Sequence, residues 1–165
     1  MKTLIIYYSD SNRTELVAKT LSAHMQANLV RIRDLKRKKG FGNKIISSIN
    51  AFRESKTEIS PSKLNLEGFD TIYIGTPTWA GKPVPAIITI IDNCDLRGKD
   101  VILFTTMDKS GGETTLQRLK EKVTYRGGRV VECFSLKTKD KSSKQIIRDT
   151  EAKIKILDLK MYKGL

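Results

Sequence analysis

The sequence predicts one α/β domain: a parallel sheet with helices on both faces. Two observations carry this. Short apolar, β-prone runs alternate with stretches at helical spacing along nearly the whole chain, in the order β-α-β-(α)-β-α-β-α-β-α. The length of 165 residues suits one domain, and no internal repeat divides it, so residues 1–165 are expected to form a single unit. Alternation of this kind argues for one parallel sheet, since parallel neighbours need crossover connections, and these place helices on the sheet faces.

Taken in order, residues 4–8 (Leu-Ile-Ile-Tyr-Tyr) read as a buried strand. Val17, Leu21 and Met25, with Ala18 beside them, recur at helix spacing. Residues 29–35 alternate apolar and basic side chains, the pattern of a strand with one wet face near a sheet edge. Residues 36–44 are a basic loop, and Ile45, Ile46, Ile49 and Phe52 predict a short amphipathic helix. Residues 55–67, polar and carrying Pro61, read as a linker, so that 36–67 form an insertion within the domain. Residues 69–75 are a second buried strand. Pro85 stands in the first turn of an apolar helix with Ile87, Ile88, Ile90 and Ile91. Residues 100–105 are a third core strand. Leu116, Leu119 and Val123 mark a helix stopped by Gly127-Gly128. Residues 129–136 are the last strand. Ser142-Ser143-Lys144-Gln145 fits a capping box, opening a helix with Ile147, Thr150, Ile154, Leu157 and Met161 on one stripe.

Composition excludes several classes. Two cysteines, Cys94 and Cys133, cannot form a disulfide framework or a four-thiolate metal site. One histidine, His24, leaves no room for His-rich metal chemistry. No apolar run reaches the ~20 residues of a membrane helix. Residues 1–6 lead into the first strand without a small-residue cleavage site, so a cytoplasmic protein is expected. The net charge of +13 points to an anionic partner. It is concentrated: residues 31–44 carry a net +6 and residues 137–163 a net +5. Aromatic residues are only 7% of the chain and mostly lie in strand patterns, which argues against a single-strand nucleic-acid binder.

Ligands of open parallel sheets bind beyond the carboxyl ends of the strands, where strand order reverses. Three loops are therefore the candidate site. Ser9, Asp10, Ser11, Asn12, Arg13 and Thr14 combine hydroxyls, an Asn that tolerates a left-handed backbone and a cation with the N-terminus of a helix, which suits an anion such as phosphate. Thr76, Pro77, Thr78, Trp79, Ala80 and Gly81 hold the one Trp of the chain, a flat surface for a flat ligand. Thr106, Met107, Asp108, Lys109, Ser110, Gly111 and Gly112 end in a glycine pair that permits close backbone approach.

On these three loops the chain resembles the flavodoxin family, over nearly its whole length. The segment from Gly40 through the helix over 45–52 is similar to an insertion in some flavodoxin-like proteins. The resemblance implies strand order 2-1-3-4-5 and non-covalent FMN. Its phosphate would lie on Ser9, Ser11, Asn12, Arg13 and Thr14. Its isoalloxazine would lie between the loop of Thr76, Pro77, Thr78, Trp79, Ala80 and Gly81 and that of Thr106, Met107, Asp108, Ser110, Gly111 and Gly112, with Trp79 as flanking ring. Lys82 and Lys109, in the flavin-side loops, would bias the reduced anionic flavin if they point inward. The chain lacks the extra loop of long-chain members. It carries Ser11-Asn12-Arg13-Thr14 where the family commonly has Thr-Gly-Asn-Thr.

Other readings of the topology fail on residues. A receiver domain needs an acid at the end of the middle strand, which here reads Gly75-Thr76-Pro77. A dinucleotide-binding domain needs G-x-G-x-x-G after the first strand, and a low-molecular-weight phosphatase needs a Cys in the first loop. Within the fold, an electron carrier is expected, because nothing in the loops resembles a general acid with a partner. The alternatives are an FMN-dependent NAD(P)H:quinone-type oxidoreductase and a flavodoxin-like binding module without FMN. Flavodoxins are commonly acidic. The reversed sign here implies an acidic redox partner, for example a ferredoxin-like protein.

Overall fold

The computed structural model describes residues 2–36 and 56–163, with side chains to residue 160. Most of the basic loop over 36–44 and all of the expected helix over 45–52 lie outside the described residues. The described elements run β1 (Thr3–Tyr7), α1 (Arg13–Met25), β2 (Asn28–Arg31), β3 (Arg33–Asp34), β4 (Ile59–Ser60) and β5 (Thr71–Trp79). They continue with β6 (Lys82–Pro83), α2 (Pro85–Asn93), β7 (Asp100–Met107), α3 (Gly112–Tyr125), β8 (Arg129–Lys137) and α4 (Ser143–Lys163).

The main sheet has the order β2-β1-β5-β7-β8, all parallel, with β6 folded back antiparallel on the end of β5. Among the core strands this is the expected order 2-1-3-4-5. The direction of winding reverses between β1 and β5, and it is beyond the carboxyl ends of strands at such a reversal that ligands of open parallel sheets bind.

Strand alternation sends side chains to opposite faces, and each face has its own core. Leu4, Ile6, Ile72, Ile74 and Leu103 pack with Ile87, Ile90 and Ile91 of α2 and Leu116, Leu119 and Val123 of α3. Ile5, Tyr7, Tyr73 and Phe104 pack with Val17, Ala18 and Leu21 of α1 and Ile154 and Leu157 of α4. Phe104 stacks on Phe134 at 5.7 Å, and its ring occupies the space where a Cβ on Gly75 would stand, 2.1 Å away.

The local signals for helix ends hold. Gly127 adopts φ 84°; its N–H donates to Thr124 O and that of Gly128 to Val123 O, both at 3.0 Å, a Schellman stop for α3. The Ser142 N–H donates to Gln145 Oε1 at 2.7 Å, and the Gln145 N–H to Ser142 Oγ at 3.3 Å, closing the capping box of α4.

Three details differ from expectation. The buried stripe of α4 starts at Ile146 and continues through Thr150, Ile154 and Leu157, while Ile147 is a half-buried flank. Residues 29–35 do not form one strand. The buried Ile32 interrupts them, and Arg33–Asp34 leave to pair with Ile59–Ser60 inside the expected linker. Finally, β5 runs past Gly75 to Trp79. Pro77 is tolerated because β1 pairing ends at Gly75, so the missing N–H costs no ladder bond on that side.

Among the described residues no helix is long and apolar enough to cross a membrane.

Candidate functional site

The first loop leaves β1 beside β5, where the Tyr8 N–H donates to Gly75 O at 3.1 Å. Ser9 is buried; its Oγ accepts the Glu15 N–H at 3.2 Å, and its carbonyl accepts Arg31 Nη2 at 2.9 Å. Arg31 also meets Glu15 Oε2 at 3.1 Å, and Glu15 meets Lys19 at 2.8 Å. Asn12 takes the left-handed conformation (φ 63°) immediately before α1, and its carbonyl accepts the Leu16 N–H at 3.0 Å. Of the first four N–H groups of α1, those of Glu15 and Leu16 are thus satisfied. Those of Arg13 and Thr14 have no partner among the described residues and stand at the positive end of the helix. Ser11 and Asn12 are exposed beside them.

The second segment is strand and hairpin rather than loop. Ala80 (φ 50°) and Gly81 (φ 72°) form a two-residue turn, with Trp79 paired to Lys82 and Thr78 to Pro83. Trp79 is half-buried, packs on the α2–α3 core and meets Tyr8 edge-on at 5.9 Å. Thr76 is buried. Its hydroxyl donates to Pro77 O at 2.9 Å and accepts the Val84 N–H at 3.1 Å. Thr78 and Thr105 share a hydroxyl hydrogen bond at 2.9 Å.

In the third loop Thr106 is buried, Met107 half-buried, and Asp108, Lys109 and Ser110 exposed. Lys109 therefore faces solvent. Gly111 (φ 89°) precedes α3. A Cβ on Gly111 would stand 3.1 Å from Gly81 Cα, so the second and third segments touch through backbone. A Cβ on Gly112 would meet Met107 Sδ at 2.8 Å.

The first and third loops are joined twice. The hydroxyls of Thr14 and Thr106 form a buried hydrogen bond at 2.8 Å, and Arg13 Nη1 meets Asp108 Oδ1 at 2.9 Å. Beyond the third loop, the Thr138 N–H donates to Met107 O at 2.9 Å, so the basic segment from Lys137 onward borders this edge.

All three expected segments therefore meet at one sheet edge. Their residues divide, however. Ser11, Asn12, Ala80, Asp108 and Ser110 are exposed at the edge, and Arg13, Thr78, Trp79, Gly81, Met107 and Gly111 are half-buried there. Ser9, Thr14, Thr76, Pro77, Thr106 and Gly112 are buried, and the hydroxyls of Ser9, Thr14, Thr76 and Thr106 bond within the protein. Sequence reasoning missed Arg31, which it counted only as surface charge, and Glu15. Their roles depend on the Tyr7–Arg31 register, which has no local signal.

The remaining candidates lie elsewhere. Cys94 caps α2 and Cys133 lies in β8; burial pushes both thiols up, which keeps them protonated. His24 is exposed on α1, 3.5 Å from Asp158. Among the described residues no group of three His, Cys, Asp or Glu is placed to hold a metal.

A family model described as Flavodoxin matches residues 2–144. Among solved structures, a candidate flavoprotein from Bacteroides uniformis ATCC 8492 is 25% identical with a TM-score of 0.75, covering 91% of this chain and 97% of that one. A flavoprotein from Lactobacillus acidophilus NCFM, crystallised in complex with FMN, is 23% identical with a TM-score of 0.67, covering 81% and 92%. Oxidised flavodoxin 1 from Bacillus cereus is 21% identical with a TM-score of 0.54, covering 94% and 98%. No curated protein sequence matches.

Proposed function

The chain belongs to the flavodoxin family, and on that premise we propose that it binds FMN at the edge formed by residues 9–14, 76–82 and 106–112 and works as an electron carrier. The observation that carries the reading is the meeting, at the strand-order reversal, of two segments in backbone contact with a helix N-terminus whose Arg13 and Thr14 N–H groups have no partner among the described residues. The donor set fits the group. The N–H groups of Arg13 and Thr14, the exposed Ser11 and Asn12 side chains and the Arg13 guanidinium suit a phosphate ester. Gly81 and Gly111 leave no Cβ between two backbones that would flank a flat ring, and Trp79 and Tyr8 stand beside them. The buried hydroxyls of Ser9, Thr14, Thr76 and Thr106 would act by fixing this backbone rather than as ligands.

When bound, FMN supplies reversible acceptance of one or two electrons, and the protein tunes how readily. Residues 9–14, 76–82 and 106–112 contain no His or Cys, which favours a carrier over acid–base catalysis. The partner proposed is an acidic redox protein. Lys137, Lys139, Lys144 and Arg148 are exposed on the segment that borders the third loop, where positive charge would steer encounters at low salt.

The test is the absorption spectrum of freshly purified protein, followed by FMN titration. Flavin bands and one-to-one binding are expected. A colourless protein that gives no heat with FMN overturns the reading. Steady-state NAD(P)H oxidation with a quinone and no separate reductase would overturn the carrier assignment alone.

A further inference from the structure

Resting on that reading, we propose that Asp108 sets the discrimination between phosphorylated and unphosphorylated flavin, by competing with the phosphate for Arg13. Arg13 is the one cation of residues 9–14, and it sits at the end of α1 where two N–H groups have no partner among the described residues. Its Nη1 is held 2.9 Å from Asp108 Oδ1, on the opposite side of the edge. The two groups differ in setting. The Arg13 side chain is 37% exposed, whereas that of Asp108 is 71% exposed. Asp108 is therefore the partner that can leave for water at little cost.

A phosphate ester arriving at the α1 N-terminus makes two demands that a neutral ligand does not. It draws the guanidinium towards itself, because a guanidinium–phosphate contact is charge-assisted and often bidentate. It also brings negative charge close to the Asp108 carboxylate, which repels it. Both effects vanish for a flavin that lacks the phosphate. The buried Thr14–Thr106 hydrogen bond joins the first loop to the third independently of this ion pair. The carboxylate thus holds affinity for the phosphorylated ligand below what the α1 terminus and Arg13 would give by themselves.

The experiment measures dissociation constants for FMN and riboflavin with the wild type, Asp108→Asn, Arg13→Gln and the double variant, with urea midpoints as a check on folding. Asp108→Asn is expected to raise the riboflavin-to-FMN ratio of dissociation constants about two- to five-fold, the range of an exposed ion pair. Arg13→Gln should lower the ratio, and by more in the D108N background than in the wild type. A ratio unmoved by Asp108→Asn overturns the proposal. So does an equal weakening of both ligands, which marks a purely structural tie. If neither flavin binds the wild type, the flavin reading fails by itself, and titration with inorganic phosphate decides this one. Tighter phosphate binding in Asp108→Asn supports the competition, and unchanged binding overturns it.

Discussion

Gly81 and Gly111 hold the second and third segments of the site in backbone contact. A Cβ on Gly111 would stand 3.1 Å from Gly81 Cα, 3.3 Å from Gly81 N and 3.2 Å from Thr78 Cγ2. Gly111 is also left-handed at φ 89°. Conformation and close approach therefore both demand glycine there. At Gly98, with φ 71° and no described atom within 4 Å of a built Cβ, only conformation does.

Gly98→Ala is accordingly expected to cost about 1–2 kcal/mol of unfolding free energy in urea, the penalty for a left-handed alanine. Gly111→Ala should cost more and should also weaken FMN, because the two segments must part. Equal losses in both variants, with FMN affinity kept, would show that the contact is incidental.

The buried pair of Thr14 and Thr106 gives a second prediction. Replacing one threonine by Val leaves the other hydroxyl without this partner, at a cost of about 1–3 kcal/mol. Replacing both removes the donor and the acceptor together, so the double variant should recover most of the loss. FMN affinity should follow stability through this cycle if Thr14 acts by fixing the backbone. An affinity that stays low in a stable double variant would instead make one of the two hydroxyls a ligand.

These threonines illustrate what was legible in the sequence. The order of elements was, because its signals are local: apolar runs such as residues 4–8, Pro85 at a helix start, Gly127-Gly128 at a helix end, and Ser142 with Gln145. The meeting of the three candidate segments was legible, because strand ends in a parallel sheet lie at one edge. The direction of each side chain was not. A threonine beyond a core strand reads as a ligand, yet Thr14 and Thr106 spend their hydroxyls on each other and Thr76 spends its own on backbone groups. The hairpin at Ala80-Gly81 was hidden because Gly75-Thr76-Pro77 reads as the end of a strand, while the observed register carries β5 through it.

Trp79 is the one tryptophan of the chain, so its emission reports on this edge alone. The ring packs edge-on to Tyr8 and is half-buried beside the hairpin turn. Saturation with FMN is expected to quench that emission. Unchanged emission at full occupancy would reject contact between Trp79 and the flavin, and the ring would then serve as packing for Tyr8.

Arg31 is expected to be the main external support of the first loop, because one guanidinium holds both Ser9 O and Glu15. Glu15 is kept below the ordinary value of 4.5 chiefly by its hydrogen bond to Lys19, with Arg31 and Tyr7 adding to it against the opposing effect of burial. A carboxyl whose value is depressed on folding contributes stability that is present above the unfolded value and lost as pH falls towards the folded one. The gap in unfolding free energy between wild type and Glu15→Gln should therefore be constant near neutrality and shrink below about pH 4.5. Arg31→Lys keeps the charge but loses the fork that spans two acceptors. It should lower stability by roughly 1–2 kcal/mol and weaken FMN, since Ser9 and the α1 terminus would no longer be held in register. Urea unfolding at pH 7 and pH 3.5, with FMN titration at pH 7, separates the two effects. A pH-independent gap for Glu15→Gln would rule out the charge of Glu15 as the source, and wild-type affinity in Arg31→Lys would make the contact to Ser9 dispensable.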